Sequence, residues 1–140
     1  MARRQVTTLR SLLTAAVLVA VAAGCSTRAA EDRPVTRQIT IHYSQFEETA
    51  LSVPHGVPVT FVLVNEDPIE HEWLIGDAAF HNRHRHGTEA HHGARPNEVS
   101  IPPLATVRTT ITFGEPGAQQ YICHLPGHEA YGMVGTLTIT

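Results

Sequence analysis

Sulfur is scarce in this sequence. Its 140 residues include two cysteines, Cys25 and Cys123, and two methionines, Met1 and Met133. Two cysteines cannot build the disulfide framework that holds many small secreted domains together. If residues 1–24 are removed as a leader, about 115 residues are left, which suffices for one domain with its own apolar core. The sequence therefore predicts a single domain that does not depend on disulfide bonds.

Long apolar runs and clusters of positive charge are also missing. The apolar segment 11–23 is shorter than the roughly 20 residues that a membrane-spanning helix needs. Arg3, Arg4 and Arg10 precede this segment, and the remaining arginines and acids give the rest of the chain a net charge of about −6. Phosphate binding needs clustered cations, so we expect no nucleic-acid partner.

The amino terminus has the pattern of a signal peptide, because its arginines precede an apolar segment that ends in small side chains. The segment closes with Val21-Ala-Ala-Gly-Cys25, which resembles the lipobox of bacterial lipoproteins, although Ala22 replaces the usual leucine. The resemblance implies that Cys25 is lipidated and becomes the mature amino terminus. Ordinary cleavage near Ala23 is the alternative.

Residues 26–37 show no hydrophobic period and are typical of a flexible tether. We therefore expect an exported protein at the outer face of the cytoplasmic membrane or in the periplasm. Its predicted parts are a signal peptide (1–24), a lipid-anchored tether (25–37) and a folded domain (38–140).

The folded domain shows the period of β-strands. From Gln38 onward almost every apolar segment has a period of two: Ile39, Ile41 and Tyr43 alternate with polar residues, and Val57, Val59, Phe61 and Leu63 form a second stripe. Turn-forming segments separate the stripes. No segment shows a convincing amphipathic helix. The pattern predicts an all-β fold, an antiparallel sandwich.

The segment from Gln120 to Met133 carries a set of metal-binding side chains. It contains a thiol at Cys123, an imidazole at His128 and a thioether at Met133, spaced Cys-x4-His-x4-Met. Sulfur ligands combined with imidazoles suit copper, and two histidines, one cysteine and a weak axial methionine form a blue-copper site. His71 lies between a turn and the apolar Trp73-Leu-Ile75 segment, where it can supply the second imidazole.

These residues resemble the cupredoxin family, including its rusticyanin, auracyanin and azurin types. The specific part is Cys123-His-Leu-Pro-Gly-His128 followed by Gly132-Met133 and a closing strand. The resemblance implies an all-β, antiparallel Greek-key sandwich with one copper ion near one end. It also implies that His71, Cys123 and His128 are the strong ligands and Met133 the long axial one.

Other interpretations of the same residues remain open. Cys123 as a buried structural thiol, His128 as a surface residue and His71 as a hydrogen-bonded core residue are the structural alternatives. A Cys–His nucleophile pair lacks a convincing third group to orient it. His124 should point to the opposite face of the strand from Cys123, and we leave it out of the ligand set.

Glu72 departs from the family pattern, because many azurin-like and plastocyanin-like members have asparagine after the first histidine. A carboxylate near the copper would favour Cu(II) and lower the reduction potential. Glu72 as a ligand of a modified site and Glu72 as an outward-facing, solvated acid are the two further alternatives.

A histidine-rich segment follows the first ligand. Dense imidazoles bind Cu(II) or Zn(II), so the segment predicts a possible second metal site. A lid over the copper, a docking surface and a solvated, pH-sensitive loop are the alternatives. The five residues are His81, His84, His86, His91 and His92.

The resemblance implies a type 1 copper protein that carries single electrons by cycling between Cu(I) and Cu(II). Its partners would be membrane oxidases, reductases or cytochromes, which a lipid anchor would keep near. Copper storage or delivery through the histidine-rich segment is the alternative. We do not expect an enzyme, because copper enzymes of this type add a catalytic copper between domains or subunits, which only trimerisation could build here.

Overall fold

The computed structural model describes residues 35–87 and 95–140. The leader, Cys25, His91 and His92 lie outside these residues. The described elements are β1 (Val35–His42), β2 (Gln45–Phe46), β3 (Ala50–Val53), β4 (Pro58–Asn65), β5 (His71–Gly76), α1 (Ala78–Arg85), β6 (Glu98–Ile101), β7 (Thr106–Thr112), β8 (Gly117–Ile122) and β9 (Val134–Ile139). Strand β1 begins three residues before the boundary that the sequence predicted for the folded domain.

The strands form two sheets, in the orders β2-β1-β4-β7 and β3-β9-β8-β5-β6. The predicted all-β sandwich is confirmed. Each sheet is mixed rather than purely antiparallel, because β1 runs parallel to β4 and β3 runs parallel to β9. Alternation along a strand identifies its buried face but carries no information on the direction of its neighbour.

The core lies between the two sheets and follows the predicted stripes. Phe61 of β4 packs on Trp73 of β5 with 4.8 Å between ring centroids, and Tyr121 of β8 continues this aromatic layer. Fully burying an apolar side chain of this kind contributes about 1.5–3 kcal/mol. Tyr43 was placed in a buried stripe, and this is wrong, because it lies in the turn after β1 and is 82% exposed.

The helix α1 was not predicted. It has only two buried residues, Phe80 and His81, so no apolar stripe marks it in the sequence. Its amino terminus is capped by Asp77, whose carboxylate accepts a hydrogen bond of 2.7 Å from the backbone N–H of Phe80. Among the described residues, no helix is long and apolar enough to cross a bilayer.

The pairing of β5 with β8 brings the candidate metal ligands to one end of the sandwich. The two strands are antiparallel, with Leu74 opposite Ile122. The start of β5, at His71, therefore lies beside the end of β8, which Cys123 follows. The loop between β8 and β9 returns to the same point, where the N–H of Cys123 donates to the carbonyl of Met133 at 3.2 Å.

Candidate metal centre

Three donor side chains converge at this end of the sandwich. The Nδ1 atom of His128 lies 3.3 Å from Nδ1 of His71 and 3.2 Å from Sγ of Cys123. The three donor atoms all lie within 4.8 Å of one another, and this is the one such group of three or more His, Cys, Asp or Glu residues in ranges 35–87 and 95–140. His71 and Cys123 are fully buried, while His128 is partly exposed.

The loop that carries Cys123 and His128 is closed by its own backbone. The N–H of His128 donates to the carbonyl of Leu125 at 3.0 Å, and the N–H of Met133 donates to the carbonyl of His128 at 3.0 Å. Gly127 and Gly132 have φ values of 86° and 94°, which favour glycine. Met133 is fully buried and its backbone is bonded to both Cys123 and His128, so the predicted axial residue lies next to them.

The sulfur atom of Cys123 is buried and hydrogen-bonded. The pKa of the Cys123 thiol is raised to about 11, chiefly by burial and to a smaller extent by the carboxylates of Glu72 and Glu70, against backbone N–H groups that lower it. One of these N–H groups belongs to Glu72 and lies 3.4 Å from Sγ. Without a metal the group is a thiol at neutral pH, so metal binding must displace a proton.

His71 is oriented by a carboxylate that the sequence did not point to. Its Nε2 lies 2.9 Å from Oδ2 of Asp67, in a contact where both side chains are nearly inaccessible to water. A carboxylate only accepts hydrogen bonds, so in the neutral imidazole Nε2 carries the proton and Nδ1 has the lone pair. That lone pair is the one that faces His128 and Cys123. Burial lowers the pKa of His128, which favours the neutral form of that imidazole.

Asp67 is itself fixed by backbone groups. The N–H groups of Tyr43 and Ser44 donate to its two oxygens at 2.8 and 2.7 Å. Burial alone would raise the pKa of Asp67, but these two bonds and the bond from His71 lower it. Asn65 braces the same turn, since its Oδ1 accepts from the N–H of Asp67 and its Nδ2 donates to three carbonyls.

Sequence reasoning missed Asp67 because the segment Asn65-Glu-Asp-Pro68 was interpreted only as a turn. The signal available was a carboxylate four residues before a candidate ligand histidine. Ligand histidines commonly donate their second N–H to such a group.

Glu72 and His124 are neighbours of candidate ligands in the sequence, but neither belongs to the group of three donors. Glu72 is 4% exposed, so its interpretation as an outward-facing, solvated acid is wrong, and it is not in the three-residue group. His124 is also outside that group. Its Nε2 lies 2.9 Å from Nδ1 of His81, and its Nδ1 lies 3.3 Å from a carboxylate oxygen of Glu129.

The described histidines of the histidine-rich segment do not converge. His81 bonds to His124 and to the carbonyl of Gln120, whereas Nδ1 of His84 and Nδ1 of His86 bond to backbone carbonyls of α1. His91 and His92 lie outside the described residues. A second Cu(II) or Zn(II) site built from all five histidines stays a prediction.

The chemistry of the donor set fits copper. A thiol and two imidazoles meet at one point beside a buried methionine, and soft sulfur together with imidazole is the combination that copper prefers. Because Nε2 of His71 is paired with Asp67, Nδ1 is the nitrogen left to bind a metal.

Comparison of the sequence with known proteins identifies the cupredoxin family. A family model of the cupredoxin-like domain matches residues 14–139. The copper-resistant cuproprotein CopI of Pseudomonas aeruginosa is 30% identical over 126 residues, which cover 67% of this chain and 70% of CopI. Auracyanin-B of Chloroflexus aurantiacus is 30% identical over 112 residues, which cover 68% of this chain and 47% of that protein.

The fold agrees with these matches. A solved structure of auracyanin B has a TM-score of 0.65 to this chain at 24% identity, covering 78% of this chain and 91% of the other. The family model spans most of the sequence, and three donor side chains that fit copper converge at one end of the sandwich. This chain therefore belongs to the cupredoxin family of copper proteins.

Proposed function

We propose that this protein carries single electrons outside the cytoplasm, with copper bound by His71, Cys123, His128 and Met133. The observation that carries the proposal is the convergence of one thiol and two imidazole nitrogens within 4.8 Å. Copper bound there supplies a one-electron Cu(I)/Cu(II) couple.

The protein's part is to hold the donors still. His71 is tied to Asp67, Cys123 accepts an N–H from Glu72, and the backbone of His128 is bonded on both sides within its loop. Donors fixed by such surrounding bonds keep one arrangement in both redox states. Little rearrangement then opposes the gain or loss of an electron.

His128 is the donor best placed to pass electrons to a partner, because it is the one of the three that is partly exposed. Tyr131, which is 79% exposed, lies in the same loop. The proposed partners are membrane oxidases, reductases or cytochromes. Lipidation of Cys25 would keep the protein at the outer face of the cytoplasmic membrane or in the periplasm, close to them.

Repeated reduction and oxidation of the copper-loaded protein tests this proposal. We expect ascorbate to remove the thiolate–copper absorption and ferricyanide to restore it over many cycles, with one copper retained per chain throughout. Loss of copper at the first reduction, with no return of the colour, would contradict an electron carrier.

A second candidate function is copper handling, which the similarity to CopI, a copper-resistant cuproprotein, favours. The histidines of α1 and the segment after it would then bind copper that is passed on. A variant with His84→Gln and His86→Gln separates the two functions. If the protein is an electron carrier, this variant keeps its redox cycling. If the protein handles copper, the variant no longer binds the fraction of copper that a competing chelator removes quickly from the wild type.

A further inference from the structure

Asp67 joins the buried ligand His71 to the surface of the protein. Its carboxylate contacts Nε2 of His71 at 2.9 Å, and its carbonyl accepts a hydrogen bond of 3.0 Å from the N–H of Leu104. The N–H groups of Tyr43 and Ser44 also donate to its carboxylate. The side chain of Asp67 therefore connects a candidate copper ligand with the turn after β1, and its backbone carbonyl connects the same residue with the loop before β7.

The turn around Asp67 has an uncommon backbone conformation. Tyr43 and Ser44 form the two-residue connection between β1 and β2 and have φ values of 51° and 56°. Positive φ is disfavoured for such residues, and glycine or asparagine is usual in a loop of this kind. In this conformation both N–H groups reach the carboxylate of Asp67. Disfavoured backbone angles that persist often serve a function.

The buried carboxylate of Asp67 is surrounded by hydrogen-bond donors. Asp67 is 6% exposed, and two backbone N–H groups and an imidazole N–H point at its oxygens. Hydrogen bonds donated to a carboxylate stabilise its ionised form. A negative charge is thus fixed on the far side of the His71 ring from the metal-binding nitrogen.

We propose that Asp67 is a positioning residue that sets the reduction potential of the copper site. It accepts the Nε2–H of His71, which makes Nδ1 a stronger electron donor and favours Cu(II), the more highly charged ion. The reduction potential is lower than it would be without this charge. This inference rests on the proposed electron-transfer function.

The test compares two variants of the copper-loaded protein. Asp67→Asn keeps the shape of the side chain and removes its charge. Glu66→Gln removes the same charge from the adjacent residue, whose exposed carboxylate faces His42 instead of His71. The measurements are the midpoint potential and the thiolate–copper absorption.

In Asp67→Asn we expect the absorption to persist and the preference for Cu(II) over Cu(I) to fall about tenfold, which raises a one-electron potential by about 59 mV. Glu66→Gln should keep the wild-type potential. An Asp67→Asn potential equal to that of Glu66→Gln would overturn the inference while the proposed function stands. A wild type that never develops the thiolate–copper absorption would contradict the proposed function, and this inference with it.

A second measurement decides the matter if Asp67→Asn does not fold. In the ¹H–¹⁵N spectrum of the wild-type protein loaded with Cu(I), His71 should carry its proton on Nε2, and this proton should exchange slowly with water. A rapidly exchanging proton, or an Nε2 without one, would overturn the role of Asp67.

Discussion

Cys123 is the residue on which the site depends most directly. Its sulfur lies 3.2 Å from Nδ1 of His128, and its N–H is bonded to the carbonyl of Met133. It also belongs to the apolar core, where it is fully buried. Serine is close to cysteine in size, so exchange of the sulfur tests its chemistry with little change of packing.

We expect Cys123→Ser to abolish the thiolate–copper absorption, because a serine hydroxyl is not a soft sulfur ligand. The variant should still show a cooperative unfolding transition, since the sandwich does not need this thiol. Visible absorption and circular dichroism check both points. Cys25→Ser, which alters the other cysteine, is the control and should keep the absorption; persistent absorption in Cys123→Ser would refute the ligand assignment.

The residues of the site differ in how far the sequence could reveal them. Cys123, His128 and Met133 lie within eleven residues, so spacing and side-chain chemistry are enough to predict them. His71 is identified by its position before an apolar strand. Asp67 could not be found in the same way, because a turn signal does not say where its side chain points, and that depends on the distant turn at Tyr43.

Among the secondary-structure elements, α1 packs against the loop that carries the candidate copper ligands Cys123 and His128. Arg85 forms a bidentate ion pair with Glu129, the residue after His128. His81 forms a hydrogen bond with His124, the residue after Cys123. The helix thus contacts the neighbours of two candidate ligands. A short helix with two buried residues depends on such contacts and on its cap for stability.

Asp77→Ala should weaken this helix, because it removes the carboxylate that accepts the N–H of Phe80. Loss of an N-cap typically costs about 0.5–2 kcal/mol. Urea unfolding should show a decrease of that size in the free energy of unfolding, and hydrogen exchange at Phe80 should be faster. Asp77→Asn keeps an oxygen acceptor and should lie near the wild type; equal stability of the alanine variant would argue against the cap.

The pairing of β8 with β9 offers a second test at this scale. Gly135 faces the ring of Tyr121 so closely that an added Cβ would overlap it, whereas the space beside Gly117 is open. Gly135→Ala should therefore destabilise the protein by about 1–3 kcal/mol through overpacking. Gly117→Ala, on the partner strand, should change the stability by less than about 0.5 kcal/mol. Urea unfolding of both variants gives the comparison, and similar effects would count against this packing.

The strands were predictable from the sequence, while their partners and the helix were not. Ile39, Ile41 and Leu137 alternate with polar residues, and all are fully buried. The same alternation is compatible with parallel and antiparallel neighbours, so the two parallel pairs could not be deduced. Ala78–Arg85 is polar and short, and it becomes a helix through its cap and its contacts with other elements.

For the whole molecule, the donors are already together in a folded sandwich, so copper should bind the folded state in preference to the unfolded chain. A ligand with that preference raises the free energy of unfolding, by about 2.7 kcal/mol when its free concentration is 100 times Kd. Thermal unfolding with and without copper should show a higher midpoint for the loaded protein. Cys123→Ser should lose most of this increase; an equal increase in both proteins would indicate copper binding elsewhere.

The most direct measurement is a titration of the protein with Cu(II), followed by visible absorption and electron paramagnetic resonance. The convergence of His71, Cys123 and His128 predicts an intense thiolate-to-copper band that saturates at one equivalent, with narrow copper hyperfine splitting. Several equivalents of ordinary tetragonal Cu(II) without this band would contradict the type 1 site and leave copper handling as the function to test.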